Sequence, residues 1–188
     1  MKVYLAGPEV FLPNAREVLD RKIDLTRRYG FTPVSPGDLE VPAIDTKRGK
    51  GLAISSINER LMMSADMIIA NLTPFRGVAA DVGTAFELGF MCARDCPAYA
   101  FSNVVGDHFT RVAALHDGDI RPDAHGRPRG PDGLAVEDFD MVDNLMLDGG
   151  IAVRGGTVVT RKVDPGKLYT DHQAFEECLR LAADRFLK

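Results

Sequence analysis

Asp66-Met67-Ile68-Ile69-Ala70-Asn71, then Leu72-Thr73-Pro74-Phe75-Arg76-Gly77, then Asp81-Val82-Gly83-Thr84-Ala85-Phe86-Glu87-Leu88-Gly89, is the part of the chain from which its architecture can be read. The first segment is an apolar run, short for a helix and stopped by a Thr-Pro turn, and it reads as a strand. The third segment opens on an acidic residue and predicts a helix from about Asp81 or Val82 to Ala93. A strand that passes through a loop into a helix is the repeating unit of a parallel α/β sheet.

The alternation extends in both directions. Val3-Tyr4-Leu5-Ala6 is a short apolar run ended by Gly7-Pro8, a first buried strand with a loop behind it. Asn14 to Tyr29 has helical spacing, with Val18, Leu19, Ile23 and Leu25 as the apolar stripe and Gly30 in the C′ position. Phe31-Thr32-Pro33-Val34 reads as a second strand, in which Pro33 removes one backbone donor. Ser35 to Lys50 is polar and turn-rich, Ile54 to Ala65 reads as the second helix, and Pro97 to Ser102 as the fourth strand.

His108 to Gly133 is rich in Gly, Pro, Asp and Arg without a hydrophobic period, so a flexible insertion is expected at about 106–133. A short helix is expected around Asn144-Leu145-Met146-Leu147, a last strand at Thr157-Val158-Val159-Thr160 and a closing helix from Phe175 to Leu187. The expectation is a single domain over residues 1–188 of α/β class. Its sheet should be doubly wound, Rossmann-like and mostly parallel, with helices on both faces and ligands beyond the carboxyl ends of the strands.

Composition narrows the function classes. A chain of 188 residues buries enough surface to fold unaided, and 45% apolar with 27% charged residues is ordinary for a globular protein. With 23 Lys and Arg against 27 Asp and Glu, the formal net charge is −4, so no basic field attracts nucleic acid. No apolar run approaches the ~20 residues that span a bilayer, so no membrane is expected as a partner. The odd set Cys92, Cys96 and Cys178, without a signal-peptide pattern, leads to an expectation of reduced thiols and a cytoplasmic protein. Cys92 and Cys96 have i,i+4 spacing, but no nearby Cys or His completes a metal site, so core thiols are expected.

The chemistry-bearing residues concentrate between Asn58 and Gly89, where an open parallel sheet places its site. Thr84-Ala85-Phe86-Glu87 by itself fits a capping box, in which Thr and Glu satisfy backbone donors at a helix start. A helix start would also favour an ionised carboxylate at Glu87. Asp81 is in the same way readable as a helix cap, and Gly83 as the residue that permits a tight loop-to-helix turn.

The residues Asn71 to Gly77 and Asp81 to Gly89 resemble the signature of the nucleoside 2-deoxyribosyltransferases, in particular their purine-preferring branch. Tyr4-Leu5-Ala6-Gly7-Pro8 with Val10-Phe11 is similar to that family's first strand and loop, Ile54 to Asn58 to its second helix, and Asp143-Asn144-Leu145-Met146 to its late substrate-capping segment. The resemblance weakens across Asp38 to Gly51 and His108 to Gly133.

The resemblance implies Glu87 as nucleophile toward the anomeric carbon of a 2′-deoxynucleoside, giving a covalent glycosyl-enzyme and, after attack by a second base, net retention. It implies Asp81 as the residue that contacts the base and assists its departure, and Tyr4 as the hydroxyl that orients Glu87; a core tyrosine is the alternative for Tyr4. Gly7, Phe11, Asn58, Arg76, Gly83, Asn144 and Met146 fall at substrate-contacting positions. Asn58 stands where the purine branch carries Asn. Asn144 and Met146 match a segment that reaches into a neighbouring subunit, which implies a homo-oligomer built from dimers, although Asn144 is also readable as a helix cap, and Arg76 as a surface arginine. The implied partners are deoxynucleosides and free nucleobases, with no cofactor or metal. Two other readings stay open: a deoxynucleoside 5′-monophosphate hydrolase of the same fold, disfavoured by the acidic Glu9 and the lack of a cation in Gly7 to Pro13, and a noncatalytic nucleotide-binding module.

Overall fold

The computed structural model describes residues 1–187. In chain order the elements are β1 (Lys2–Ala6), α1 (Ala15–Arg28), β2 (Thr32–Val34), α2 (Lys47–Ser64), β3 (Met67–Asn71), α3 (Val82–Ala93), β4 (Ala98–Ser102), α4 (His108–Leu115), β5 (Arg121–Pro122), β6 (Pro128–Arg129), α5 (Leu145–Val153), β7 (Val158–Thr160) and α6 (Gln173–Phe186). Short 3-10 turns occupy Pro8–Phe11 and Pro165–Lys167. Five strands form a parallel sheet in the order β2-β1-β3-β4-β7, and β5 with β6 makes a separate antiparallel pair.

Alternation along the strands divides the core in two. Val3, Leu5, Met67, Ile69, Tyr99 and Phe101 pack with α1 and α6 residues such as Ile23, Leu25, Phe175 and Leu179. Tyr4, Ala6, Ile68, Ala70, Ala98 and Ala100 face α2, α3 and α5 through Ile57, Leu61, Leu88, Met91 and Ile151. The second face is floored largely by alanine, so the helices over it lie close to the sheet. In the turn from α5 into β7, Gly156 passes so near β4 that a Cβ there would sit 1.7 Å from the Ala98 carbonyl oxygen.

The chain runs from β1 outward to β2 and then returns to β3 on the other side of β1. That reversal leaves a crevice at the carboxyl ends of β1 and β3, which is where doubly wound sheets bind ligands. Gly7 follows β1 there, and Asn71 ends β3.

Two segments differ from the sequence expectation. α2 begins at Lys47 rather than Ile54, with the Thr46 side chain accepting from the Gly49 amide as its cap. Gly49 and Gly51 weaken helix propensity and the first turns have no apolar stripe, which conceals this extension. The segment expected to be featureless holds α4, capped by Asp107 through the Thr110 amide, and a small hairpin held by Asp123, which accepts from the amides of His125 and Arg127. Side-chain to backbone bonds order the hairpin, and α4 adds a stripe of Phe109, Val112 and Ala113 too short to stand out from the Gly, Pro, Asp and Arg around it.

Lys22 lies on the buried stripe of α1 and is 1% exposed, as is Glu9 at 2%, and the two form an ion pair at 2.8 Å. Its ammonium also lies 5.0 Å from the Phe175 ring centroid and 5.5 Å from that of Phe101. Removing one partner of a buried pair leaves the other charge uncompensated, at a cost of about 3–5 kcal/mol. Lys22→Met is therefore expected to lower the denaturation midpoint by that order in chemical unfolding, and a change below about 1 kcal/mol would contradict this account.

Candidate active site

Helix α3 is built inside out around one residue. Thr84, Leu88, Met91 and Cys92 form its buried stripe, and Glu87 sits on that stripe by helical spacing. Val82 and Phe86, both apolar, point outward at 84% and 57% exposure. A carboxylate facing the core and a phenylalanine facing out reverse the usual pattern, which marks the inner face as a polar site.

Asp81 is the N-cap of this helix: its Oδ2 accepts from the Thr84 amide at 3.0 Å and the Thr84 hydroxyl at 3.3 Å. The capping box expected between Thr84 and Glu87 is therefore not formed. Thr84 lies inside the helix as partner to Asp81, and Glu87 is released from capping and stands a turn further along. The electrostatic support expected from the helix start also falls away, because that effect fades within the first turn. Gly83 has ordinary helical backbone, and its role is spatial, since a Cβ there would meet Asp81 Oδ2 at 3.0 Å.

Glu87 points instead at the sheet. The Tyr4 hydroxyl donates to Glu87 Oε1 at 2.6 Å, joining β1 to α3 across 83 residues of sequence. Burial pushes the Glu87 carboxyl up to about 7; the bond from Tyr4 works in the opposite direction, and the negative charge of Asp81 adds to the rise. Burial, reinforced by the Glu87 charge and its hydrogen bond, keeps Tyr4 protonated far above the usual phenol range. Tyr4 is thus a fixed donor: its ring is part of the core and its hydroxyl is spent on Glu87.

Beneath this pair, Glu9 Oε1 accepts from both Lys22 and the Asn71 side-chain amide. Glu9 Oε2 is buried and has no hydrogen-bond partner among the described residues. Gly7 leaves the space for this carboxylate, as a Cβ would stand 1.9 Å from Oε2 and 2.9 Å from Asn71 Cβ. Glu9 therefore turns inward and is neutralised by Lys22. Its charge no longer argues against a phosphate-bearing donor, as the sequence suggested. A cation also reaches this loop, because the Arg76 guanidinium lies 5.3 Å from the Phe11 ring centroid and 4.8 Å from that of Phe75.

Phe11 and Phe75 stack at 5.3 Å with 16° between their planes, and Tyr169 meets Phe75 edge-on at 5.9 Å. Arg76 holds φ 54, a conformation uncommon for a side-chain-bearing residue. Three loops, after β1, after β3 and before α6, so converge on one aromatic cluster. Asn58, from α2, lines a cleft of about 350 Å³ whose other walls include Val10, Leu19, Leu39, Ile54 and Ile57. Asn58 is the one hydrogen-bonding side chain in that lining. A larger open groove of about 720 Å³ follows the outer face of α1, but none of the expected site residues lines it.

The structure thus joins Tyr4 with Glu87 and Phe11 with Arg76, and sets Asp81 near enough for its charge to act on Glu87. Asn144 and Met146 stand apart from that bond network. Asn144 caps α5 through the Met146 amide at 3.1 Å and donates to Glu137 Oε1 at 2.7 Å, while Met146 is exposed. Sequence reasoning passed over Lys22, Glu9 as a buried anion, Asn71 and Tyr169. Lys22 had a signal: it falls on the apolar stripe with Val18, Leu19 and Ile23, where a lysine requires a buried counter-charge.

Residues 3–146 match the nucleoside 2-deoxyribosyltransferase family. A protein of Schizosaccharomyces pombe described as uncharacterized is 32% identical over 167 residues, covering 83% of this chain and 79% of its own. The 2-deoxyribosyltransferase from Leishmania mexicana superposes with a TM-score of 0.66 at 25% identity over 98% of both chains. A conserved protein from Enterococcus faecalis V583, at TM-score 0.57 and 18% identity over 97% of this chain and 98% of its own, shares the fold. The parallel sheet, the buried carboxylate on α3 and a match over most of the sequence agree with one another, and the chain belongs to the nucleoside 2-deoxyribosyltransferase family.

Proposed function

We propose that this protein transfers the 2-deoxyribosyl group between nucleobases, with purines preferred, through a covalent intermediate on Glu87 and with net retention. The observation that supports it best is the 2.6 Å bond from Tyr4 to Glu87, which fixes a half-buried carboxylate against the face of the central strand β1. One Glu87 oxygen is held by Tyr4, and the other attacks C1′ of the donor. The C1′–N bond breaks, its electron pair stays with the departing base, and Asp81, an anion in the free enzyme, contacts that base and relays a proton to it from solvent. In the return half the acceptor base attacks C1′ from the face the first base vacated, its proton passes by way of Asp81 to solvent, and Glu87 leaves as a carboxylate. Two inversions give retention, and Asp81 ends as it began.

A Glu87 carboxyl raised to about 7 suits both halves of such an exchange. A more basic carboxylate is a better nucleophile, and the Tyr4 hydroxyl stabilises it again when it departs. Purine preference rests on Asn58, the hydrogen-bonding side chain in an otherwise apolar cleft, which has donors and acceptors for a base edge.

A second copy of the chain is the proposed partner. Val82 and Phe86 on α3, with Met146 and Val153 on α5, are exposed apolar side chains on two helices that pack closely, as shown by Gly150, where a Cβ would lie 3.2 Å from Cys92 Sγ. A face of this kind marks an association surface. It would carry Asn144 and Met146 to a neighbouring site.

Incubation with deoxyinosine and adenine is expected to yield deoxyadenosine, and Glu87→Ala to reduce that yield by about a thousandfold or more while circular dichroism is unchanged. Hypoxanthine without deoxyadenosine would point to hydrolysis, and no reaction at all to a binding module. Because the nucleophile must be ionised and its pKa is raised, kcat/KM for the donor should be full above pH about 7 and fall tenfold per unit below it. Tyr4→Phe removes a bond that favours the anion, so its acidic limb should move to higher pH; an unmoved limb would exclude Tyr4 from this role. Light scattering of Val153→Asp should show a smaller species than the unaltered chain, together with lost transfer, and an unchanged mass would reject the α3 and α5 face as the interface.

A further inference from the structure

Arg111 is a nearly buried residue of α4, in the segment that resembles the family least. Its guanidinium is shared among three carbonyl groups and a carboxylate. Nε donates to Val78 O at 2.7 Å, Nη1 to Gly106 O at 3.0 Å and Nη2 to Val142 O at 2.5 Å, while Nη2 also lies 3.5 Å from Asp143 Oδ2. Asp143 is wholly buried. Its Oδ2 accepts from the Ala80 amide at 2.9 Å and its Oδ1 from the Asn144 amide at 2.8 Å. From α5, Asp148 completes the group by accepting from the amides of Val142 and Asp143, each at 3.0 Å.

One ion pair therefore grips two strands of chain. The first is residues 78–80, which run directly into Asp81; the second is residues 142–144, which end on Asn144. In the loop before Asp81, Pro74, Phe75 and Arg76 are held by Tyr169 and Phe11, and the Phe75 amide is bonded to Ala79 O at 3.0 Å, which leaves residues 78–80 to the Arg111–Asp143 pair. The cap bond to Thr84 ties Asp81 to α3, but the direction from which the chain enters that cap is set by Val78 and Ala80, the first held by Arg111 of the insertion and the second by its partner Asp143. A planar fork spreads its fixed donors over carbonyl groups on three separate segments, whereas a lysine ammonium gathers its three donors on one nitrogen and cannot span them.

We propose that Arg111, paired with Asp143, is a positioning residue that sets Asp81 and Asn144 in register with each other and with Glu87. This rests on the roles given above to Asp81 and Asn144. It assigns the insertion a part in catalysis that its composition does not suggest: it holds the proton donor for the leaving base in place. Displacing a positioned group by about 1 Å costs on the order of a hundredfold in rate. The loss should therefore fall on the step that needs the proton.

The test compares Arg111→Met, Arg111→Lys and Asp143→Asn with the unaltered full chain, using two deoxynucleoside donors. One has a base that must be protonated to leave, and the other an activated base that departs as a stable anion. Rates are normalised to the fraction of enzyme that forms the glycosyl intermediate in a burst, so that misfolded protein does not count. The expected result is a ten- to hundredfold fall in kcat for the first donor, at most about a threefold fall for the second, and no rescue by Arg111→Lys. Equal losses on both donors, unchanged kcat, or full rescue by lysine would each overturn the positioning role. If the unaltered chain transfers nothing, the functional reading fails and this proposal falls with it; transfer by the unaltered chain with equal losses in the variants overturns the proposal alone.

Discussion

A lysine and a glutamate buried together at the end of the first strand are the interaction on which the rest is built. Lys22 and Glu9 are both almost fully removed from water, so each is tolerable only because the other is present. From Glu9 a line of polar contacts crosses the carboxyl ends of the strands. Asn71 donates to Glu9 and accepts from the Thr73 amide, the Thr73 hydroxyl accepts from the Asn103 amide, and the Asn103 side chain donates to the carbonyl groups of Leu168 and Asp171. The loops after β1, β3 and β4 and the turn before α6 are thereby fixed to one another. These are the loops that carry Phe11, Phe75 and Tyr169.

On the other face of the sheet stands a carboxylate with no counter-ion within hydrogen-bond distance among the described residues. Glu87 has the Tyr4 hydroxyl, and burial, opposed by that bond, raises its pKa to about 7. The sign matters for stability as well as for chemistry. A carboxyl raised in the folded state binds its proton more tightly there than in the unfolded chain, so folding is opposed progressively as pH rises from the unfolded value of 4.5 to about 7. The protein carries a destabilised carboxyl on α3, over a sheet face floored largely by alanine, where Tyr4 reaches it. The two halves of the core thus treat charge in opposite ways: one pairs it fully, and the other leaves it half-compensated.

Much of this was legible in advance, and the failures have physical causes. All five parallel strands and the helices α1, α3 and α6 follow from short apolar runs and 3.6-residue stripes, with Asn14, Gly30 and Asp81 marking ends. The first turns of α2 were hidden because glycine and lysine carry no stripe, and α4 with the small hairpin because Asp107 and Asp123 organise them through local backbone bonds. At the site, Tyr4 and Glu87 could be named from their resemblance to a family. The Thr84 to Glu87 spacing by itself pointed toward a cap, because pattern cannot tell which residue of Asp81 and Thr84 begins the helix.

The sequence by itself determined the class of fold and the succession of the five sheet strands with α1, α3 and α6, because these depend on local spacing and composition, and its resemblance to a family nominated residues for the chemistry. The tertiary structure alone decided which of those residues meet. Tyr4 and Glu87 lie 83 positions apart, Lys22 finds Glu9 across a helix and a turn, and Arg111 reaches Val78 and Val142 from a segment with no periodic signal. Contacts of that kind are fixed by the packing of layers on a common sheet, and so is the burial that makes Glu87 basic.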